Sequence, residues 1–158
     1  MDSVDSVTWL TDDEQRIWRS YLNVNSMLAE ILDRDLQRRH SLSLVEYGIL
    51  VHLSEAEGAR MRMRNLAETV IVSKSRLSHQ IARLERDGYV RRENCQEDRR
   101  GAWAILTDQG EKALRESAPD HVALVRQHLF DRIGPERVQQ LGEIMAQLEL
   151  GLREAEQR

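Results

Sequence analysis

The sequence predicts a mainly helical fold carrying one small β-hairpin. Apolar residues recur at three- and four-residue spacing through most of the 158-residue chain. Two prolines and eight glycines leave few breakers, so long helices are allowed. Hydrophobic residues make up 41% and aromatics only 4%, which favours aliphatic helix packing over an aromatic-rich sandwich. The stretch from Val72 to Leu106 departs from that pattern, and it reads as helix, strand, basic loop and strand.

The elements follow in order. Thr11-x-x-Glu14 is a capping box and opens a helix. Ile17, Tyr21, Val24, Leu28, Leu32 and Leu36 carry that helix to about Arg39. A second capping box, Ser43-x-x-Glu46, opens a helix through Tyr47, Leu50, Val51 and Leu53 that closes near Gly58. Arg60-Met-Arg-Met fits a single edge strand against the hairpin. Arg64 to Val70 reads as a short helix, and the apolar turn Ile71-Val72 is expected to pack inward. Ser73 caps the next helix, and Gly88 ends it in the left-handed region. Two strands follow, Tyr89 to Glu93 and Ala102 to Leu106, joined by a loop with Arg99 and Arg100 near its tip. Thr107 caps a helix starting at Asp108, which Pro119 should kink or briefly break. Gly134-Pro135 starts a last helix, whose Val138, Leu141, Met145, Leu148 and Leu152 have the spacing of a helix-pair seam.

The helix after Ser73 has two unlike faces. Leu77, Ile81 and Leu84 form an apolar stripe. Ser75, His79, Arg83 and Arg86 fall opposite, with Arg76 at the edge. Short hydrogen-bonding groups come first and arginines later, which suits base edges at the start of the helix and phosphates along its flanks. With a basic hairpin behind it, the unit reads as a winged helix-turn-helix, mainly α with a small β wing.

The residues SKSRLSHQIARLERDGYVRR (73–92) and EDRRGAWAILTDQG (97–110) resemble the multiple antibiotic resistance regulator (MarR) family of bacterial transcription factors. The serine-rich recognition helix, the Asp-Arg-Arg wing and the Leu-Thr-x-x-Gly that follows are its marks, and the order of flanking helices extends the likeness over nearly the whole chain. The resemblance implies one domain over 1–158, with dimerisation helices at about 11–39 and 108–157 and a winged helix-turn-helix lobe at about 43–106. It implies a sequence-specific regulator, expected to be a ligand-responsive repressor that binds an inverted-repeat operator on double-stranded DNA as a homodimer. DNA contacts are expected from Ser73, Ser75, Arg76, Ser78, His79, Gln80 and Arg83, and from Asp98, Arg99 and Arg100 in the wing. Arg76 is the candidate for a bidentate contact to guanine, and relatives often carry Thr-Arg where this chain has Ser78-His79. The implied effector is a small aromatic or anionic molecule, with Trp18, His40 and Tyr47 as candidate lining residues.

Charge distribution fits this reading better than total charge. The chain carries −4 overall, yet Arg60 to Arg100 holds eleven Lys+Arg against six Asp+Glu, a net +5, leaving −9 for the remainder. One face is thus suited to a polyanion while the rest stays acidic. The acidic total instead supports the alternative, a winged helix used for protein contacts or dimerisation without sequence-specific DNA binding. No nucleophile–base pair, phosphate-cradling glycine loop or metal motif stands out, so no enzymatic activity, cofactor or metal is expected. His40, His52, His79, His121 and His128 are scattered, and Trp9, Trp18 and Trp103 read as core or interface residues. Cys95 has no resolving partner in the sequence, although Arg91 and Arg92 would favour its thiolate. No apolar run is long enough for a bilayer, so no membrane partner is expected. The acidic MDSVDSVTWLTDDEQ start lacks signal-peptide features, and together with the single cysteine it points to the cytoplasm.

Overall fold

A computed structural model describes residues 7–70, 73–94 and 101–156. The order is α1 (Asp12–His40), α2 (Leu44–Glu55), a 3-10 turn (Glu57–Ala59), β1 (Arg60–Arg62), α3 (Met63–Val70), α4 (Lys74–Arg86), β2 (Val90–Asn94), β3 (Ala102–Leu106), α5 (Asp108–Val125), a π-helical segment (Arg126–Phe130) and α6 (Asp131–Glu156). Among the described residues the strands form one antiparallel sheet in the order β1-β3-β2.

The helix starts obey local cap chemistry. Thr11 accepts the Glu14 amide while Glu14 reaches back to the Thr11 amide at 2.7 Å. Ser43 and Glu46 form the same reciprocal pair. Ser73 accepts the Arg76 amide, and Thr107 accepts the Gly110 amide. At the end of α4, Gly88 (φ 78°) donates to the Glu85 carbonyl and Tyr89 donates to that of Leu84, a Schellman closure. That closure occupies the Tyr89 amide, so β2 begins one residue later than the expected Tyr89.

The core sits in the middle of the chain. Leu42, Ile49, Leu50 and Leu53 meet Leu66 and Ala67 of α3, Leu77, Ile81 and Leu84 of α4, and Val90 and Ala104 of the sheet. The predicted stripe of α4 is thus its buried face. Outside this lobe the arms are open. Ile17, Trp18, Val24 and Met27 on α1 and Ile144, Leu148 and Leu152 on α6 all present large apolar surface to solvent.

Of the kink or brief break expected at Pro119, the break does not occur. Helix α5 runs unbroken through it. Proline removes one amide donor and crowds the carbonyl four residues earlier, a local cost that α5 absorbs while keeping helical geometry on both sides. The departures lie further on, in the π-helical segment and at Gly134 (φ 74°, ψ 165°), with Pro135 opening the next helical stretch as its fixed φ favours. Among the described residues no helix is long and apolar enough to cross a membrane.

Candidate nucleic-acid interface

Helix α4 exposes Ser75 and His79 opposite its buried Leu77, Ile81 and Leu84, with exposed Arg76 and Ser78 on the two flanks of that face. Ser73 is exposed but committed to the cap, and its Oγ lies 3.2 Å from that of Ser75. Gln80 is half-buried and its Oε1 has no partner among the described residues. Arg83 is tied back to the lobe. Its Nε lies 2.9 Å from Oε1 of Glu46, a buried carboxylate that also accepts the Ser43 amide. The pair is a close ionic contact rather than an aligned hydrogen bond. Arg83 therefore serves α2 as well as the exposed face, a role that residue spacing alone does not reveal.

The hairpin leans on α4 through charge. Arg92 makes two contacts of 2.7 Å to Glu85, whose other oxygen accepts the Arg92 amide at 3.0 Å. Arg91 pairs with Glu93. Asp98, Arg99, Arg100 and Cys95 lie outside the described residues, as does the Ile71-Val72 turn.

Sequence reasoning missed the outer face of the sheet. The register sets Arg60 and Arg91 beside Ile105, and Arg62 and Glu93 beside Trp103. The guanidinium carbons of Arg60 and Arg62 lie 4.8 and 4.6 Å from the Trp103 ring centroid. Trp103 is therefore a surface platform for arginines, not a residue of the central core. The alternation in Arg60-Met-Arg-Met was the available signal, because it puts both arginines on one side of a strand. A cleft of about 420 Å³ opens between β1, α3, α4 and the start of β3, lined by Arg62, Arg64, Asn65, Lys74 and Ser78 among others.

A second group joins the arms to the lobe. Asp120 of α5 receives His40 Nε2 at 2.9 Å and Arg39 Nη1 at 2.5 Å. These hydrogen bonds, that from His40 first, hold the Asp120 carboxyl below its usual range. The neighbouring His121 ring packs on Tyr47, with centroids 4.3 Å apart. Burial lowers the His121 pKa and raises that of Tyr47. His40 and Tyr47 thus meet consecutive residues of one helix. Trp18 does not join them within one chain. It stacks on Tyr21, 22 residues or roughly 33 Å along α1 from His40. No group of three metal-ligating side chains occurs among the described residues.

The arrangement matches known proteins along almost its full length. The chain is 50% identical to Sco3205 of Streptomyces coelicolor, a MarR family transcriptional regulator solved in complex with DNA. The match covers 94% of this chain and 92% of that one, with a TM-score of 0.89. The chain belongs to the MarR family. A family model described as MarR family matches residues 40–101, the segment holding α2, α3, α4, β1 and β2. AbsC, a MarR family regulator of the same organism, is 49% identical over 93% of this chain and 99% of its own, with a TM-score of 0.85. A helix-turn-helix-type transcriptional regulator of Bacillus cereus is 26% identical over 147 residues, 93% of this chain and 90% of its own. This MarR chain is a transcriptional regulator with a winged helix-turn-helix, and Ser75, Arg76, Ser78 and His79 of its predicted recognition residues are exposed on α4.

Proposed function

We propose that the protein is a ligand-responsive repressor that binds an inverted-repeat operator as a homodimer. The exposed face of Ser75, Arg76, Ser78 and His79 on a helix anchored by Leu77, Ile81 and Leu84 carries this reading. Helix α4 enters the major groove with that face toward the bases, and Arg76 offers its planar fork to guanine O6 and N7. Asp98, Arg99 and Arg100 serve the wing, with an arginine in the narrow minor groove. Arms with open apolar surface on α1 and α6 support a second copy, and two-fold symmetry then sets the half-sites about 34 Å apart. Repression is the direct consequence of occupying the duplex, because a bound dimer excludes other proteins from it. Effector control is assigned to the junction of α1, α2 and α5, where His40, Tyr47, Asp120 and His121 gather. A small aromatic or anionic effector there shifts the population toward a half-site spacing that DNA does not fit. The whole of 1–158 acts as one unit, with the arms joining the copies and the lobe at 43–106 reading DNA.

Binding-site selection with the parent protein and with Arg76→Ala, Ser78→Ala and His79→Ala tests the reading. The parent should select a dyad-symmetric sequence. Arg76→Ala should lose roughly 1–3 kcal/mol per half-site and relax one symmetric pair of positions. Three variants with the parent's preference and affinity would transfer the function to protein contacts.

A further inference from the structure

We propose that the cleft between β1, α3 and α4 holds a backbone phosphate of the bound duplex, and that Trp103 is the positioning residue that aims Arg62 into it. The proposal rests on the DNA-binding reading above and adds residues that reading does not use. Three cations line the cleft, Arg62, Arg64 and Lys74, together with the Asn65 amide and the Ser78 hydroxyl, and among the described residues no carboxylate lines it. Arg64 is partly engaged by Glu68 at 3.4 Å. Arg62 and Lys74 meet no carboxylate among the described residues. Charge complementarity therefore selects an anion, and the position selects which one. Ser78 stands on the exposed face of α4, so a duplex gripped by that face brings a strand of phosphates across the mouth of the cleft.

Trp103 explains why Arg62 is ready for that role. The β1–β3 register places Arg62 opposite Trp103, and the guanidinium lies 4.6 Å from the ring centroid. A guanidinium held on an indole keeps its charge and its donors while its stem loses rotational freedom in advance. Less ordering then remains to be done when the phosphate arrives. Arg60 lies against the same ring at 4.8 Å and stands opposite the buried Ile105 in the register, so both arginines share the ring's side of the sheet.

The salt dependence of binding, measured by anisotropy on an operator duplex and on a random duplex, reads the number of phosphates held. Each phosphate contributes a slope of about 0.9 in log affinity against log salt, or about 3.5-fold over a fourfold rise in salt. Arg62→Gln and Lys74→Gln should each lower the slope by about one unit for every copy of the cleft on the duplex. Both should weaken operator and random binding by the same factor. Trp103→Leu should match Arg62→Gln, Trp103→Phe should keep most of the parent slope, and Trp103→Leu should add nothing to Arg62→Gln. Urea unfolding of each variant separates lost binding from lost fold, and the exposed Lys74 together with Arg62→Gln decides the phosphate site if Trp103→Leu is unfolded. A parent slope in both glutamine variants overturns the site. Equal losses in Trp103→Phe and Trp103→Leu overturn the positioning role. A parent protein with no salt-dependent duplex binding overturns the DNA reading and this proposal together, whereas a steep parent slope left intact by every variant overturns this proposal alone.

Discussion

Replacing Gly110 with alanine should destabilise the protein, although alanine is the better helix former. Gly110 is the third residue of α5 and the glycine of the Leu-Thr-x-x-Gly stretch. A Cβ there would stand 2.1 Å from the Tyr89 carbonyl oxygen and 2.8 Å from Leu106 Cδ1. The leucine can turn away, but the carbonyl cannot. It accepts the Thr107 amide at 3.1 Å, while the Tyr89 amide is bonded to Leu84 at the end of α4. Relief to ordinary contact needs about 1 Å of backbone movement, against the latch that joins α5 to the recognition helix. Overpacking of this kind costs roughly 1–3 kcal/mol, and an immobile partner puts it at the upper end. Alanine recovers about 1 kcal/mol of helix propensity. The net loss is therefore about 2 kcal/mol, a fall in Tm of roughly 4–8 °C for a chain of this size. Gly48, inside α2 with open space for 4 Å around where a Cβ would stand, supplies the opposite case. Gly48→Ala should gain up to about 1 kcal/mol. Urea unfolding, with the slope checked for constancy, measures both. Gly110→Ala at or above parent stability would refute the close-approach argument, and equal changes at the two glycines would show that propensity alone decides.

Two further outcomes follow from burial and charge. Leu141→Asp with Leu148→Asp should yield a monomer in sedimentation, because in the proposed dimer each seam leucine buried against a second copy contributes roughly 1.5–3 kcal/mol and an aspartate there is left unpaired. Retention of a dimer that binds DNA would place the interface elsewhere. Acidification should weaken the fold through His121. Burial lowers its pKa, so between that lowered value and the usual histidine range the unfolded chain binds a proton that the folded chain does not. Stability therefore falls as pH drops through that window. His121→Phe should remove part of the decline in urea midpoint between pH 7.5 and 5.5, and an unchanged decline would exclude the histidine as its source.

Much of the fold was legible because caps are local. Thr11, Ser43, Ser73 and Thr107 each stand three residues before the amide they accept, and that spacing is visible in the sequence. The stripe of α4 was legible because helical period fixes which side chains share a face. The interactions that tune the site were not. Arg83 reaches Glu46 and His40 reaches Asp120 across tens of residues, and neither spacing carries a periodic signal. Trp103 read as a core or interface residue, and the sequence did not say which. Which face it occupies depends on the β1–β3 register, which seats two arginines against it. The break expected at Pro119 does not occur, because whether a proline ends a helix depends on how the turns around it are held and not on the proline alone.

Helix α5 connects the two regions on which the proposed regulation depends. At its start, Thr107 Oγ1 donates to the Gly88 carbonyl at 2.6 Å and Gln109 donates to that of Asp87 at 3.1 Å, so the helix is bonded to the closing turn of α4. Twelve residues beyond Asp108, roughly 18 Å along the axis, Asp120 holds Arg39 and His40 of α1, and His121 lies on Tyr47 of α2. In the proposed response, an effector that separates Asp120 from His40 changes the tilt of α5 against α1. The start of α5 then has two choices, to carry the end of α4 with it or to break the bonds to Gly88 and Asp87. Gly110 favours the first, because its missing side chain lets α5 approach the Tyr89 backbone so closely that there is no slack to slide. In the proposed response the recognition helix therefore moves as a rigid extension of α5, and the two helices of a dimer change their spacing without any change in the residues that face the DNA.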